Sequence, residues 1–194
     1  MRKRSISILI PTYNEEQNIN ILHKTLEGVT KSYSSNYNFE YIFVDDGSDD
    51  ATVEILEELS MIDGKIKVIE LSRNFGKEIA LTAGIHYVNS DALIIMDADL
   101  QHPPEFISKL ISKWEDGAEI VATKRISIEN RSLVKRFGSV LFYKIMNLIG
   151  ETEMVSGTTD FRILDRIVVN ELKTFTERNR LVRGLIDWMG FKKV

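Results

Sequence analysis

Two aspartates one residue apart, Asp97-Ala98-Asp99, come directly after the apolar run Leu93-Ile94-Ile95-Met96 and are followed by Leu100-Gln101-His102. A turn leaving a buried strand can aim both carboxylates, with Gln101, at one cation. Such hard oxygen ligands select Mg²⁺ or Mn²⁺, which keep positions open for phosphate oxygens. An isolated Asp-x-Asp occurs often by chance, so its place at a strand end is what makes it informative. Three earlier segments share that setting: Pro11-Thr12-Tyr13-Asn14-Glu15, Asp45-Asp46-Gly47-Ser48 and Ser72-Arg73-Asn74-Phe75-Gly76-Lys77. A structural turn needs a single Gly, Asn or Asp for its backbone, and four loops this rich in functional groups exceed that need. Asp45 and Asp46 could hold a base or ribose by hydrogen bonds, or cap the next helix.

The elements that must position these residues are readable as two alternating periodicities. Ser5–Ile10, Tyr41–Val44, Ile66–Leu71, Ala92–Met96 and Glu119–Ala122 are short, rich in Ile and Val, and predict strands. Nearly all are apolar on both faces, as in a parallel sheet covered on both sides. Between them, apolar residues three and four apart predict helices: Ile19, Leu22, Leu26 and Val29; Val53, Leu56 and Leu59; Ile79 and Ala83; Phe106, Leu110 and Trp114. Asn14 with Gln17 resembles a capping box, Ser48 or Asp49 can cap the second helix, and Pro103-Pro104 suits the start of the fourth. Five strands and four helices make a doubly wound α/β sheet, where ligands bind at the carboxyl ends of the strands. Beyond Ala122 follow a basic stretch, a helix predicted over 132–148, a turn at Ser156-Gly157, a short run Phe161–Leu164 and a final amphipathic segment. Residues 1–122 then form one half of a single domain and 123–194 an elaboration of it.

Composition narrows the chemistry further. The 194 residues carry no cysteine, which excludes a disulfide scaffold, a thiolate metal site and a cysteine nucleophile. No window reaches the roughly 18 uncharged apolar residues of a membrane span, and the apolar stretch after the basic start ends at Pro11, too soon for a secretory signal. The net charge of -4 conceals an asymmetry: residues 1–119 hold 11 Lys+Arg against 21 Asp+Glu, and residues 120–194 hold 14 against 8. An acidic half suits a divalent cation; a basic half suits phosphates or an anionic membrane surface. No Gly-x-Gly-x-x-Gly follows the first strand, and Gly76-Lys77-Glu78 is not a Walker A loop. No Gly-x-Ser-x-Gly elbow is present. His23, His86 and His102 lack metal-ligand spacing, and His23 and His86 read as ordinary, partly exposed helix residues.

Taken together, Pro-Thr-Tyr-Asn-Glu, Val-Asp-Asp-Gly-Ser, Arg-Asn-Phe-Gly-Lys and Asp-Ala-Asp-Leu-Gln-His-Pro-Pro-Glu resemble the inverting family-two glycosyltransferases of GT-A fold. Ser156-Gly157-Thr158-Thr159-Asp160-Phe161-Arg162, with the ending Glu177-Arg178-Asn179-Arg180 to Gly190-Phe191, is similar to the branch that loads sugars onto polyprenyl phosphates. That branch holds the bactoprenol glucosyltransferases and, more distantly, dolichol-phosphate mannosyltransferase. The resemblance implies a GT-A, Rossmann-like sheet, mainly parallel, with helices on both faces. It implies that Pro11, Tyr13, Glu15, Asp45 and Asp46 frame the nucleotide's base and ribose, that Asp97 also binds the nucleotide, and that Asp99 is catalytic together with Asp160. It further implies that Asp97, Asp99 and Gln101 hold Mg²⁺ or Mn²⁺, that Asp160 stands at the catalytic-base position near the acceptor, and that Arg125, Arg131 and Arg136 meet phosphate groups. The structural alternatives are that Pro11 ends a strand, Tyr13 packs and the arginines face solvent.

The expected reaction is in-line displacement at the anomeric carbon, with the nucleoside diphosphate leaving. A phosphate acceptor is already largely ionised near neutral pH, its second pKa being about 6, so Asp160 would orient the acceptor more than deprotonate it. The donor expected first is UDP-glucose, then UDP-N-acetylglucosamine and GDP-mannose; the acceptor is a polyprenyl phosphate at the cytoplasmic face of a membrane, and no nucleic-acid partner is expected. Leu181, Leu185, Trp188 and Met189 or Phe191, flanked by Arg178, Arg180, Arg183, Lys192 and Lys193, have the pattern of a helix lying at a membrane surface; the alternative is a helix packed on the domain. Relatives of the branch continue into two membrane-spanning helices, so the natural chain is expected to run past Val194, and self-association into a homo-oligomer stays open. A transferase acting on a soluble or polysaccharide acceptor is the second reading, although the Gln-x-x-Arg-Trp of processive synthases is replaced by Gly184-Leu185-Ile186-Asp187-Trp188. A catalytically idle nucleotide-binding module is the third.

Overall fold

The computed structural model describes residues 2–101, 103–124, 158–175 and 181–194. Six strands, β1 (Arg4–Thr12), β2 (Tyr37–Asp45), β3 (Ile66–Glu70), β4 (Ala92–Ile95), β5 (Ile120–Lys124) and β6 (Thr158–Asp165), join in one sheet of order β3-β2-β1-β4-β6-β5. The pairs β1–β2, β1–β4 and β2–β3 are parallel, connected through α1 (Ile19–Lys31), α2 (Thr52–Ile62) and α3 (Lys77–Tyr87). A 3₁₀ turn (Pro104–Phe106) and α4 (Ile107–Glu115) lead to β5, and α5 (Arg166–Thr174) and α6 (Val182–Trp188) follow β6. The short run at Phe161–Leu164 is the centre of β6, which inserts between β4 and β5 and runs antiparallel to both.

Alternation along each strand explains the two-sided burial. Ile6, Ile8 and Ile10 of β1 face Leu22 and Leu26 of α1 and Leu110 and Trp114 of α4. Leu9 turns the other way, with Ile42, Val44, Leu93 and Ile95, toward Leu81 and Ile85 of α3, Val168 and Leu172 of α5, and Val182 and Ile186 of α6. Each such side chain contributes roughly 1.5–3 kcal/mol when fully buried, and the doubled core fixes the sheet plane that carries the loops. At the β5 edge the last residues pair with the strand: Val194 N–H donates to the Ile120 carbonyl at 2.9 Å and Ala122 N–H to that of Val194 at 3.1 Å. That covers backbone groups which an edge strand would otherwise present to other chains.

Several local expectations are corrected. α1 starts at Ile19, and Asn14, with φ 54°, does not cap it; its side chain accepts the N–H of Asp49 instead. α2 starts at Thr52 and is flanked by Ala51, because Ser48 is bonded to Asp45. In α3 the buried residues are Ala80, Leu81, Gly84 and Ile85 rather than Ile79 and Ala83. Gly84 sets that rotation: a Cβ there would lie 2.2 Å from Leu9 Cδ1 and 2.9 Å from Val44 Cγ2. Phe106 is exposed and Ile107 takes its place in the core. His23 is buried, its Nε2 3.2 Å from Asp63 Oδ2. In the terminal segment Leu185, Met189 and Phe191 pack against the domain, leaving Leu181 and Trp188 exposed. The predicted helix over 132–148 and the turn at Ser156-Gly157 lie outside the described residues.

Candidate active site

The four loops after β1 to β4 are fastened to one another in sequence. The β1 loop binds the β2 loop reciprocally: Asn14 N–H donates to Ser48 Oγ (2.9 Å), Glu15 N–H to Thr52 Oγ1 (2.8 Å), and Asp49 N–H back to Asn14 Oδ1 (2.9 Å). Asp45, wholly buried, accepts the backbone N–H of Ser48 at 2.8 Å and its hydroxyl at 2.5 Å. Asp46 reaches the β3 loop, its two carboxylate oxygens accepting the N–H groups of Phe75 and Gly76, each at 2.8 Å. Gly47 permits that approach: it has φ +69°, and a Cβ there would lie 2.4 Å from the Arg73 carbonyl carbon. Carboxylates bonded to backbone N–H groups are among the stronger hydrogen-bond acceptors in proteins, so these aspartates set the shape of the sheet's carboxyl end.

That end contains a cleft of about 350 Å³ lined by Pro11, Thr12, Tyr13, Glu15, Asp46, Asn74, Gly76, Lys77 and Asp97–Asp99. A larger hollow of about 750 Å³ beside Lys24, Lys31, Tyr37 and Lys65 has one carboxylate, Glu27, in its wall; paired carboxylates single out the smaller cleft. Leu100, just after Asp99, has φ 57°, a left-handed conformation costing a non-glycine residue about 1–2 kcal/mol. It packs on the core, and Gln101 N–H donates to Asp99 Oδ1 at 3.0 Å. The strain is therefore located in the loop that presents Asp97 and Asp99, as it is at many functional sites.

Antiparallel β6 brings Asp160 to the same end. Lys77 Nζ donates to Asp160 Oδ2 at 2.8 Å and also pairs with Asp97 Oδ1, while Arg183 of α6 donates two N–H groups to Asp160 Oδ1, at 2.9 and 2.6 Å. Burial alone would raise the Asp160 pKa, but Lys77 and Arg183 hold it below the ordinary carboxylate value. Burial would likewise lower Lys77, and hydrogen bonds to Asp160 and Asp97 raise it above the usual ammonium value. Arg162, on the same strand face as Asp160, is 1% exposed and donates through Nη2 to the Thr159 carbonyl at 2.9 Å. Its Nη1 is buried without a partner among the described residues, and burial depresses its guanidinium pKa, against the attraction of Asp187 and Asp160.

Of the residues expected at the site, Pro11, Tyr13, Glu15, Asp46, Asp97 and Asp99 line one cleft, with Asp160 joined to it through Lys77. Asp45 does not reach the wall; it acts through the Ser48 turn. Gln101 is exposed beside Asp99. Arg125, Arg131 and Arg136 lie outside the described residues. Lys77 and Arg183 were not expected here. The first was visible only as the end of Arg-Asn-Phe-Gly-Lys, the second as a flank of an interfacial helix; contacts spanning 83 and 23 residues leave no local periodicity to read. The carboxylates of Asp97 and Asp99 fit a hard divalent cation, and Asp97 already binds a cation, the Lys77 ammonium.

Comparison with known proteins places the family and the fold. Residues 7–173 match the family model described as glycosyl transferase family 2. The uncharacterized glycosyltransferase YkcC of Bacillus subtilis (strain 168) is 42% identical, covering 96% of this chain and 57% of its own length. A prophage bactoprenol glucosyl transferase homolog of Escherichia coli (strain K12) is 39% identical, covering 96% of this chain and 60% of its own. The chain thus spans less than two thirds of these relatives. The mannosyltransferase PcManGT from Pyrobaculum calidifontis, solved in complex with GDP-Man and Mn²⁺, superposes with a TM-score of 0.65 at 19% identity over 100% of this chain and 55% of that one. The fold is the GT-A arrangement that the motifs implied.

Proposed function

Because the chain belongs to glycosyl transferase family 2, we propose that it moves a sugar from a nucleotide-diphosphate sugar to a polyprenyl phosphate, with inversion at the anomeric carbon. The observation that carries this reading is the cleft that gathers Glu15, Asp46, Asp97 and Asp99, with Lys77 linking Asp97 to Asp160. Likeness to proteins named bactoprenol glucosyl transferase, at 38–39% identity, supports the lipid phosphate acceptor and puts UDP-glucose first as donor, before UDP-N-acetylglucosamine and GDP-mannose.

In this reading residues 1–122 bind the donor and 123–194 face the acceptor. Pro11, Tyr13, Glu15 and Asp46 frame the base and ribose, and Asp45 supports them from beneath. Asp97 and Asp99, with Gln101, supply the oxygen ligands for Mg²⁺ or Mn²⁺. When bound, that ion offsets the charge that develops on the leaving diphosphate. The acceptor phosphate oxygen attacks the anomeric carbon opposite the diphosphate, and the electron pair of the broken carbon–oxygen bond stays with the leaving oxygen. Asp160, ionised and held by Arg183, orients the acceptor; the nucleophile is already largely deprotonated near neutral pH, with a second pKa of about 6. Arg125, Arg131 and Arg136 meet the phosphate groups. No helix among the described residues is long and apolar enough to cross a membrane, and the exposed Leu181 and Trp188 support contact with its cytoplasmic surface.

Incubation with radiolabelled UDP-glucose, UDP-N-acetylglucosamine or GDP-mannose, Mn²⁺ and a polyprenyl phosphate in detergent micelles tests the proposal. A labelled, organic-extractable lipid from one donor is the expected product. Label that passes only to water or to soluble glycans would contradict it.

A further inference from the structure

Lys77 is the first residue of α3, next to Gly76. Cations are unfavourable there, because the helix amino terminus carries partial positive charge. Its ammonium is nevertheless held between two carboxylates, Asp97 of the β4 loop and Asp160 of β6, with 38% of the side chain exposed. Arg183 secures the opposite oxygen of Asp160, so that carboxylate stays paired when Lys77 moves. Asp97 is the carboxylate that the ammonium and a divalent cation would share.

Resting on the donor-site reading above, we propose that Lys77 is a tethered counter-cation that competes with the divalent ion for Asp97, so that the metal enters together with the nucleotide rather than ahead of it. Without a diphosphate, an incoming ion must displace the ammonium from Asp97 and then sit beside it, like charge next to like. The diphosphate removes both penalties, because its oxygens neutralise the ion and give the displaced ammonium a new anionic partner. Lys77 and Gly76 line the same cleft as Asp97 and Asp99, within reach of such a group. The coupling is reciprocal: whatever factor the nucleotide adds to metal affinity, the metal adds to nucleotide affinity.

The test is Mn²⁺ binding, read from the electron paramagnetic resonance signal of free aqueous Mn²⁺, for wild type, Lys77→Met, Lys77→Gln and Lys77→Arg, with and without UDP or GDP. Without nucleotide, Lys77→Met and Lys77→Gln should bind Mn²⁺ about tenfold more tightly than wild type, within the roughly 5–150-fold span of ordinary coupling between sites. Lys77→Arg, which keeps the charge, should stay near wild type, and the factor by which nucleotide tightens Mn²⁺ should shrink in the two neutral variants. Equal or weaker Mn²⁺ binding by both folded neutral variants would overturn the proposal. Asp97→Asn separates this from the underlying reading: if it keeps Mn²⁺ binding in the presence of nucleotide, the assignment of the metal to Asp97 fails as well.

Discussion

Asp160 is surrounded by more positive charge than a general base can use. With Lys77 on one oxygen and Arg183 on the other, its carboxylate is depressed below the ordinary range and is ionised throughout the neutral region. Sign follows from direction: the group stabilises the fold above its unfolded value near 3.8 and loses that contribution as pH falls through the lower folded value. It cannot produce a rate change near pH 6, whereas ionisation of a phosphate acceptor, with a second pKa of about 6, can. Asp160→Asn should therefore reduce turnover by less than the roughly 10²–10⁴ that a general base contributes. Asp99→Asn should cost more, since several kcal/mol of charge stabilisation correspond to about 10³-fold or greater. The pH profile of kcat/KM should keep its rise near pH 6 in Asp160→Asn; disappearance of that limb in the variant would make Asp160 the titrating base. At this scale Asp97, Asp99 and Asp160 were readable from their neighbours in the chain. Lys77 and Arg183 were not, because their meaning is a partner reached only through tertiary structure.

The elements were visible where burial is simple and hidden where it is not. Runs such as Ser5–Ile10 and Ala92–Met96 are apolar on both faces and so declare themselves strands of a covered sheet. β2 begins earlier than its apolar run, at Tyr37, because Asn38 and Glu40 pair with β1 in register despite their polarity. β6 could not be placed in advance: no local pattern says that a strand distant in sequence from β5 will insert, reversed, between β4 and β5. Pro103-Pro104 does open the turn that leads into α4, whereas the caps of α1 and α2 differ from expectation for one shared reason. Asn14 and Ser48 have capping chemistry, but the Asn14 side chain accepts the Asp49 N–H, and the Ser48 hydroxyl accepts the Asn14 N–H and donates to Asp45, so neither serves a helix end. α3 is the element whose position matters most, since it delivers Lys77, and Gly84 allows it to lie against Leu9 and Val44. Gly84→Ala should lower stability by about 1–3 kcal/mol through overpacking. Gly28→Ala in α1, where a new Cβ meets nothing within 4 Å, should raise it by roughly 0.5–1 kcal/mol. Urea unfolding of both variants checks the pair; a neutral Gly84→Ala would show that the close approach of α3 is not needed.

For the molecule as a whole, charge and topology agree. The acidic first part of the chain supplies the carboxylates of the cleft, and the basic remainder supplies Arg183, which pairs with Asp160. Four parallel strands carry the loops of the cleft, and the antiparallel β6 brings Asp160 to Lys77 at its edge, so the site is built from parts distant in sequence but adjacent at one sheet end. Fold class was readable because a doubly covered sheet leaves a repeating signature, while sugar identity was not, because it depends on pocket shape that short motifs do not encode. The central claim is that this cleft binds a nucleoside diphosphate through a cation on Asp97 and Asp99. Thermal unfolding with UDP and with GDP, each with and without Mn²⁺, on wild type and Asp99→Asn, tests it most directly, since a ligand of the native state must raise the melting temperature. One nucleotide should stabilise the wild type only when Mn²⁺ is present, and Asp99→Asn should lose that shift; stabilisation that ignores Mn²⁺ or survives Asp99→Asn, or none with either nucleotide, would contradict the claim.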